Sequence, residues 1–383
     1  MKSMNIGIIG YKFMGRAHSN AWLQSQRFFE PGIKPILKVA CGRSEKPLRA
    51  FAERWGWEEI ETDWRKVVSR EDIDIIDVAA PQFLHYEIAI AAAKAGKHIF
   101  MEKPLAMSVA EAQGMAAAAE EAHIVHYLDH NYRRCPAVRL AKKLMDEGKI
   151  GDIYHWRGAY LQDWLTDPNF PLTWNLQKEK AGSGPNGDLN SHSIDLARYL
   201  VGEVTQVSAM MAQFVSERPL PDEHASSLKG GSSGRGSGKV TVEDAAFLTV
   251  KFANGALGSF EASRFATGRR NYNEFEIYGS KGSLIFNLER MNELQFYSKE
   301  DPEGEQGFRT ILATEPVHEY IAHWWPPGHI IGYEHEFVHA AVDFLDAIKN
   351  GTEIRPNFFD GVEEMKVLAA AVQSAAEGRT VTV

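Results

Sequence analysis

The sequence predicts an α/β protein in which a doubly wound domain with a parallel sheet is followed by an α+β domain with a large, mainly antiparallel open sheet. Strand and helix patterns alternate as far as about residue 130, which is typical of doubly wound sheets with right-handed crossovers. From Ile153 onward, strand patterns follow one another with few helices between them. A chain of 383 residues is also too long for one ordinary core, so two domains are expected.

The first strand pattern, Met4 to Ile9, runs directly into a glycine-containing turn and the start of a helix. The segment Gly10-Tyr11-Lys12-Phe13-Met14-Gly15 is close to the turn that binds the pyrophosphate of a dinucleotide. Lys12 replaces the middle glycine of that pattern, so the main chain approaches the phosphates less closely while the ammonium group neutralises their charge. We therefore predict an N-terminal Rossmann domain that binds its cofactor through Gly10, Lys12, Phe13, Met14 and Gly15.

The second strand pattern ends in Val39-Ala40-Cys41-Gly42-Arg43-Ser44 and bears on which dinucleotide binds. It lacks the acidic residue that is expected to bind a ribose 2′-hydroxyl. Arg43 and Ser44 are suited to a 2′-phosphate, but they are equally suited to covering the adenine and starting the next helix. NAD and NADP therefore both remain candidates, with a preference for NADP.

Two further strand patterns of the first domain end in residues that can take part in ligand binding or chemistry. Ile73 to Ala80 is followed by Pro81 and His85, and Ala95 to Met101 is followed by Glu102-Lys103-Pro104. Because the carboxyl ends of strands line the ligand crevice of an open parallel sheet, Lys103 is the first candidate for chemistry. The alternative is a surface lysine at a strand end. The predicted cofactor site also includes Ala80, Pro81, His85, Glu102 and Lys103.

The second domain is predicted from a series of strands with few helices. The strand patterns are Tyr154 to Gln162, Val204 to Val215, Ala245 to Phe252, Ala256 to Ser263, Phe275 to Tyr278 and Ser283 to Asn287. A helix pattern from Asp188 to Val201 ends at Gly202, the expected position of a cap. A later helix, Tyr333 to Ile348, has an apolar face for packing.

We place the Rossmann domain at residues 1–131 and the substrate-binding and oligomerisation domain at 132–383, with C-terminal helices from about 333 packing back on the first domain. Residues from about 219 to 242 are rich in glycine and serine and poor in apolar side chains, so we expect a mobile loop there. An interdomain linker is the less favoured alternative, because strand patterns continue on both sides.

Several of these segments together resemble the Gfo/Idh/MocA family of sugar and cyclitol dehydrogenases. They are Gly10 to Gly15, Ala80-Pro81 with His85, Ala95 to His98 and Glu102-Lys103-Pro104 in the first half, and Asp188 to Asp195 and Ile277 to Leu284 in the second. The segments Asn131 to Ala137, Tyr160 to Trp164 and Ala197 to Glu203 most resemble members that act at carbon 3 of pyranosides. The resemblance covers nearly the whole chain and departs from the family at Asn190, where glycine is usual.

Asp188 and His192 are four residues apart, which places both side chains on one face of a helix. A carboxylate so placed orients an imidazole and holds it basic. Taken alone, such a pair is more often structural, with the acid capping its helix. The family resemblance implies that His192 takes the hydroxyl proton of the substrate while Lys103 hydrogen-bonds the same oxygen, and alcohol oxidation requires such a base and donor.

The residues predicted to line a sugar pocket combine aromatic rings with polar side chains. They are Asn131, Tyr132, Arg133, Gln162, Asp163 and Trp164. A pyranoside presents C–H faces and hydroxyls, which match an aromatic platform edged by amides and carboxylates. The alternative is strong for Tyr132 and Trp164, because aromatic residues belong to the core about as often as to a ligand site.

The resemblance implies NAD(P)-dependent oxidation of a secondary hydroxyl of a sugar, anhydrosugar or glycoside, with carbon 3 of a pyranoside favoured. Two other catalytic functions stay open, namely redox-assisted glycoside hydrolysis with tightly held NAD and inositol dehydrogenation. A non-catalytic sensor is disfavoured, because Lys103 and His192 are both present.

Composition limits the partners and the location of the protein. The formal net charge of -9 argues against nucleic acid, which requires a basic face. No stretch approaches the roughly 20 apolar residues of a membrane helix, and the first strand begins too early for a secretory leader, so we expect a cytoplasmic protein. An open sheet face predicts a homodimer or a homotetramer. His335 and His339 lack a third convergent ligand, so no metal is predicted.

Overall fold

The structure is a computed structural model that describes residues 2–221 and 233–383. The chain divides into two compact units. The first unit comprises Met1–Arg134, Tyr320–Trp325 and Ile331–Met365, and the second comprises Cys135–Glu319, Pro326–Ile330 and Lys366–Val383. The sequence-based boundary at 131/132 lies three residues before the observed division, and the chain returns to the first unit near its C-terminus.

The strands and helices are numbered here in chain order. The strands are β1 (Lys2–Ile9), β2 (Ile33–Cys41), β3 (Glu59–Glu61), β4 (Ile75–Val78), β5 (His98–Glu102), β6 (His126–Asp129), β7 (Ile153–Leu161), β8 (Val204–Ala212), β9 (Glu217–Pro221), β10 (Ser233–Lys239), β11 (Ala245–Phe252), β12 (Leu257–Ser263), β13 (Tyr272–Gly279), β14 (Gly282–Asn287), β15 (Glu293–Ser298), β16 (Arg309–Leu312) and β17 (Val381–Thr382). The α-helices are α1 (Phe13–Phe28), α2 (Glu45–Trp55), α3 (Trp64–Val68), α4 (His85–Lys94), α5 (Val109–Glu121), α6 (Pro136–Asp146), α7 (Lys178–Ala181), α8 (Ser191–Leu200), α9 (Tyr333–Asn350) and α10 (Phe358–Glu377).

The first unit contains the predicted parallel sheet, with strands in the order β3-β2-β1-β4-β5-β6. All of its neighbouring pairs are parallel. The central strands β1 and β4 carry apolar residues that are fully buried, as strands covered on both faces require. The strand order reverses between β1 and β4, and ligands of open α/β sheets bind at such a reversal.

Helix α9 also belongs to the first unit, where it packs against α1. Its residues Phe337 and Phe344 are buried, and the Phe344 ring lies 5.5 Å from that of Phe100 on β5 and 6.3 Å from that of Trp22 on α1. These contacts explain why the apolar side chains recur along a single face of α9.

The second unit is built on nine strands in the order β16-β15-β14-β13-β7-β12-β11-β8-β17. Only the pair β7–β12 is parallel among the pairs that the described residues form in this sheet, so the prediction of a mainly antiparallel sheet is confirmed. One face is buried, with the Trp156 ring stacked on that of Phe275 at 5.0 Å. Helices α6 and α8 contact strands of this sheet.

The opposite face of the sheet carries side chains that alternate with the buried ones. Three rows of paired positions cross it: Met210, Phe247, Glu261, Ala159 and Glu274; Ser208, Thr249, Ser259, Arg157 and Glu276; and Gln206, Lys251, Leu257, His155 and Tyr278. Met210 is 78% exposed, Leu257 60% and Phe247 48%. This open face therefore presents large apolar side chains to solvent.

The region predicted as a loop, from about 219 to 242, differs from that expectation at both ends. Strands β9 and β10 pair in an antiparallel two-stranded sheet. The main-chain N–H of Leu172 donates to Pro219 O at 2.7 Å, and the backbone of Gly238 lies against the Leu172 side chain. The glycine and serine content did not indicate these two strands, because each strand forms by pairing with the other and local composition does not show that pairing. The centre of the predicted loop, residues 222–232, lies outside the described residues.

Among the helices that the structure describes, none combines the length and the apolar character needed to cross a bilayer.

The turn after β1 gives a test of the fold. Gly10 has a φ of 120°, and a Cβ on it would lie 2.2 Å from Ala79 O. Gly96 also has a positive φ, but a Cβ there meets nothing within 4 Å. Both alanine variants carry backbone strain, and only Gly10→Ala adds a steric overlap with main chain. We expect its thermal midpoint to fall by at least about 4 °C more than that of Gly96→Ala, and equal losses in the two variants would contradict this account.

Candidate active site

The turn between β1 and α1 is closely packed at its two glycines and leads into an uncapped helix. Gly10 N donates to Cys41 O at 3.0 Å, and a Cβ on Gly15 would lie 2.2 Å from Gly10 O. The first turn of α1 carries no acidic residue, and among the described residues no side chain caps its N-terminus. Free N–H groups and the helix dipole favour an anion at such a position. This turn therefore fits a dinucleotide pyrophosphate.

The other residues predicted for the cofactor turn lie around its rim. Lys12 immediately precedes α1, and the exposed Phe13 ring stacks on that of Tyr333 at 6.4 Å. Met14 is partly buried against the core of the first unit. These placements leave Lys12 and Phe13 accessible to a ligand.

The end of β2 is the region predicted to select between NAD and NADP. A Cβ on Gly42 would lie 2.2 Å from the Tyr11 ring, so glycine is required there for close approach of that ring. Arg43 and Ser44 are exposed, and the Ser44 side chain makes no cap bond to α2. Both side chains are therefore available to a nucleotide, and the Ser44 carbonyl accepts the Leu48 N–H at 3.1 Å at the start of α2.

His85 connects two strand ends of the first unit. Its Nε2 lies 3.0 Å from Ala80 O, and its Nδ1 lies 3.1 Å from Pro104 O and 3.2 Å from Leu105 O. Burial lowers the pKa of His85, so the ring is neutral near neutral pH and donates from one nitrogen. The ring thus lies between the chain after Ala80 and the chain after Lys103 and donates to one of the two, and a contact of His85 with the cofactor stays a prediction.

Lys103 follows β5 directly and is half-buried, and its bond to Pro104 is cis. The carboxylate of the preceding residue, Glu102, turns into the protein, where it is 6% exposed. Glu102 Oε2 accepts the Lys103 N–H at 3.2 Å, and Oε1 contacts His18 Nε2 at 2.9 Å. Direct contact of Glu102 with the cofactor stays a prediction, because both of its oxygens have partners within the protein.

Asn131, Tyr132 and Arg133 lie beyond β6 and are all buried. Asn131 Nδ2 donates to Glu336 Oε2 at 2.9 Å, the Tyr132 ring lies edge-on to that of Tyr333 at 6.4 Å, and Arg133 lies 3.8 Å from Asp360. Glu336 and Tyr333 were not predicted as site residues, because α9 is about 200 positions away along the chain. Helix α9 thus positions this predicted substrate segment.

The histidines of α9 have partners that explain their burial without a metal. His339 Nε2 accepts from Trp324 Nε1 at 2.8 Å, and Nδ1 contacts Arg134 O at 2.9 Å. Burial lowers the pKa of His339 to about 3, so the ring is neutral, with Nδ1 as the donor. His335 Nδ1 accepts from the N–H of Gly332 at 3.1 Å.

In the second unit, Asp188 lies in a π-helical turn, Asn186–Asn190, that leads directly into α8. The spacing of Asp188 and His192 predicts an α-helix over both residues, and π-turns inside helices occur often at functional sites. Asp188 Oδ2 accepts from Arg264 at 2.7 Å. Arg264 is 1% exposed and lies over the Trp164 ring at 5.4 Å. Sequence reasoning missed this cation, which joins two predicted site residues.

His192 lies beside a chain of hydrogen bonds that contains two predicted substrate residues. Its ring is 5.7 Å from that of Tyr160, whose hydroxyl donates to Asn271 Oδ1 at 2.8 Å. Gln162 Nε2 donates to the same Asn271 oxygen at 2.9 Å, and Trp164 Nε1 donates to Gln162 Oε1 at 2.7 Å. Tyr160 and Asn271 were not predicted as site residues. The structure thus brings His192, Gln162 and Trp164 into one polar cluster.

Asp163 points away from this chain of hydrogen bonds and holds a loop. Its Oδ2 accepts the Gly268 N–H at 3.0 Å, and its Oδ1 pairs with Arg270 at 3.0 Å. The side chain is only 9% exposed. Asp163 therefore shapes the loop that carries Asn271, and a direct contact with a substrate stays a prediction.

Asn190, the departure from the family pattern, is fully buried at the end of the π-turn. Neither atom of its amide has a hydrogen-bond partner among the described residues. A buried amide normally finds a partner, so this position is suited to an ordered water or to a polar group of a ligand.

Comparison with known proteins gives matches that together cover nearly the whole chain. Residues 4–130 match the family described as "Oxidoreductase family, NAD-binding Rossmann fold", and residues 138–285 match the Gfo/Idh/MocA C-terminal domain. The chain is 46% identical to levoglucosan dehydrogenase from Pseudarthrobacter phenanthrenivorans over 380 residues, covering 98% of this chain and 97% of that protein.

Solved structures agree with this result. An oxidoreductase domain protein from Kribbella flavida is similar with a TM-score of 0.95 and 49% identity, covering 100% of both chains. Levoglucosan dehydrogenase in complex with NADH and levoglucosan is similar with a TM-score of 0.93 and 45% identity, covering 100% of this chain and 99% of that one. The predicted fold class and family resemblance are confirmed: the chain belongs to the Gfo/Idh/MocA family and is an NAD-dependent oxidoreductase acting on CH–OH groups.

Proposed function

We propose that this protein oxidises a secondary hydroxyl of a pyranose sugar, anhydrosugar or glycoside, with carbon 3 as the favoured position and levoglucosan as the first substrate to test. The observation that carries the proposal is the 46% identity to levoglucosan dehydrogenase, which extends over 98% of this chain. The polar and aromatic cluster around Gln162 and Trp164 supports it, because a sugar ring requires both kinds of contact.

The cofactor is proposed to bind at the turn between β1 and α1, where Gly10, Gly15 and the start of α1 would hold the pyrophosphate. When bound, the nicotinamide accepts the hydride that the substrate carbon loses. The NADH complexes of levoglucosan dehydrogenase favour NAD. The preference for NADP, inferred from Arg43 and Ser44, stays a prediction.

His192 and Lys103 are proposed to act on the reacting hydroxyl, His192 by accepting its proton and Lys103 by stabilising its charge. His192 takes the hydroxyl proton on a ring nitrogen as the carbon loses its hydride. The Lys103 amine donates a hydrogen bond to the same oxygen and stabilises the negative charge that develops there. The two roles are complementary, because loss of the proton creates the charge that Lys103 stabilises.

Asp188 and Arg264 are proposed to set the basicity of His192. The Asp188 carboxylate favours the protonated imidazole, and Arg264, which pairs with it at 2.7 Å, opposes part of that effect. Arg264 is buried, whereas the Asp188 side chain is 39% exposed, so solvent screens part of the interaction between them.

Replacement of Lys103 tests its proposed role. Lys103→Ala is expected to lower the turnover of levoglucosan by at least about a hundredfold, because a donor to the developing charge is lost. Cofactor affinity, measured by fluorescence titration, is expected to remain nearly unchanged. Lys94→Ala, at an exposed position of α4, is the matched control and should retain activity. Equal loss of cofactor binding in Lys103→Ala would indicate a structural lysine instead.

The pH dependence of oxidation tests the proposed base. His192→Ala should abolish the rise of rate with pH that reports the titration of the base. Asp188→Asn should move that limb to lower pH, because a negative neighbour that favours imidazolium is lost. Arg264→Met should move it to higher pH by the opposite argument. His329→Ala, at an exposed position, controls for histidine loss, and a profile that none of the three site variants alters would place the base elsewhere.

The open face of the nine-stranded sheet is proposed to pair with a second copy, giving a homodimer or a tetramer of dimers. The exposed Met210, Phe247 and Leu257 support this, because apolar patches on a sheet face commonly mark an interface. Light scattering at micromolar concentration should show a dimer or larger assembly. Met210→Asp should weaken it, whereas Val317→Asp, also on an exposed apolar residue, should not. A wild-type monomer would contradict the proposal.

A further inference from the structure

His18 of α1 is enclosed by carboxylates from three neighbouring strand ends of the first unit. Its Nδ1 lies 2.7 Å from Asp77 Oδ1, and its Nε2 lies 2.9 Å from Glu102 Oε1 and 3.4 Å from Asp129 Oδ2. Asp77, Glu102 and Asp129 belong to β4, β5 and β6, which pair in that order. All four side chains are buried, so His18 is the cation nearest to three carboxylates that solvent screens little.

The geometry favours protons on both nitrogens of His18. Each ring nitrogen lies at hydrogen-bond distance from a carboxylate oxygen, and an ionised carboxylate only accepts. Burial lowers the pKa of His18, but the charge of Asp77 and the hydrogen bonds to Asp129, Asp77 and Glu102 outweigh it, so the pKa is raised well above its ordinary value. His18 is therefore a buried cation near neutral pH.

Asp129 is the least satisfied member of this group. Its Oδ2 lies 3.4 Å from His18 Nε2, and within the described part of the chain neither of its oxygens has a closer hydrogen-bond partner. Burial raises the pKa of Asp129 to about 6, against the lowering effect of His18. The positive charge of His18 thus lies close to more than one carboxylate and lowers the pKa of Asp129.

The group is linked at one end to the helix and at the other to Lys103. Trp22 Nε1, one turn along α1 from His18, donates to Asp77 Oδ2 at 2.7 Å. Glu102 uses its second oxygen to accept the main-chain N–H of Lys103 at 3.2 Å. A continuous series of contacts therefore runs from α1 through His18 and Glu102 to the backbone of Lys103.

A bound metal ion is the alternative that His18, Glu102 and Asp129 suggest, since their ligand atoms converge. The separation of 2.9 Å between His18 Nε2 and Glu102 Oε1 is a normal hydrogen-bond distance, and a shared proton accounts for it. The geometry favours the protonated imidazole, and the metal becomes an outcome of the test.

We propose that His18 is a positioning residue for Lys103: its imidazolium ring holds Glu102, and Glu102 fixes the main chain from which the Lys103 side chain extends. Residues around a catalytic group determine how accurately it is placed, and small displacements cost large factors in rate. This inference rests on the proposed role of Lys103 in catalysis. It assigns no contact between His18 and a substrate or cofactor.

A double-mutant cycle tests whether His18 acts through Lys103. His18→Asn is expected to lower turnover by at least about tenfold in the wild-type background but by less than about twofold in the Lys103→Ala background. His123→Asn is the matched control, because His123 is exposed and its φ of 51° suits asparagine. Equal factors in the two backgrounds would show that His18 acts independently of Lys103, and would overturn the proposal.

Amide exchange tests the positioning without reference to activity. In His18→Asn, exchange of the Lys103 N–H should rise by at least about tenfold relative to wild type, because its acceptor Glu102 is no longer held. Unchanged exchange would overturn the proposal. If Lys103→Ala keeps full activity while this exchange still rises, the proposed function fails and the positioning stands. Asp77→Asn, which keeps the side-chain size, should give the same changes to a smaller extent if His18→Asn does not fold.

Two further measurements separate a proton from a metal. The charged groups around His18 are Asp77, Glu102 and Asp129, while Phe100 and Phe337 contribute uncharged rings. Because the folded-state pKa of His18 is raised, its contribution to stability is fully present below about pH 6.5 and is lost as the pH rises through the raised value. His18→Asn should lack that loss. One equivalent of bound metal in wild type that disappears in His18→Asn would overturn the protonated arrangement.

Discussion

Parallel pairing of β1 with β4, and of β4 with β5, is the constraint on which the chemistry of the first unit depends. It brings the turn at Gly10, the segment after Ala80 and the residue Lys103 to one edge of the sheet. Main-chain groups just beyond the carboxyl ends of the strands have no partner in the sheet and still require hydrogen bonds. The neutral His85 ring lies between Ala80 O and Pro104 O and donates from one nitrogen, and Glu102 accepts the Lys103 N–H. His85 and Glu102 thus help to hold the segments that the parallel strands bring together.

In the second unit, one parallel pair of strands brings predicted site segments together. The parallel pair β7–β12 lies among antiparallel strands, and it ends with Leu161 opposite Ser263. The chain beyond β7 therefore begins beside the chain beyond β12, and Gln162 N donates to Ser263 O at 2.8 Å. This adjacency allows Arg264 to reach both Trp164 and Asp188. The Arg264 guanidinium group thus contacts both Trp164, which follows β7, and Asp188, which lies in the π-turn.

Local patterns were sufficient to predict that Lys103 follows a strand directly, that a glycine turn follows the first strand, and where most strands lie along the chain, because each depends on neighbouring residues. They were insufficient for Arg264, Asn271 and Glu336, whose partners are distant in sequence. The four-residue spacing of Asp188 and His192 predicted a continuous α-helix, whereas the hydrogen bonds form a π-turn before α8. The glycine-rich composition around 219–242 concealed β9 and β10, because their pairing depends on each other and on Leu172. The homo-oligomer and the cytoplasmic location stay predictions.

The central claim is that the chain couples oxidation of a pyranose hydroxyl to reduction of a nicotinamide cofactor. It is tested most directly by near-ultraviolet absorbance of the reduced cofactor in a screen of levoglucosan, other pyranosides and inositols, each with NAD and NADP. We predict cofactor reduction with levoglucosan or a related pyranoside, oxidation of that substrate at carbon 3 by nuclear magnetic resonance, and loss of both signals in Lys103→Ala. Sugar release without net cofactor reduction, or reduction with inositols alone, would contradict the account.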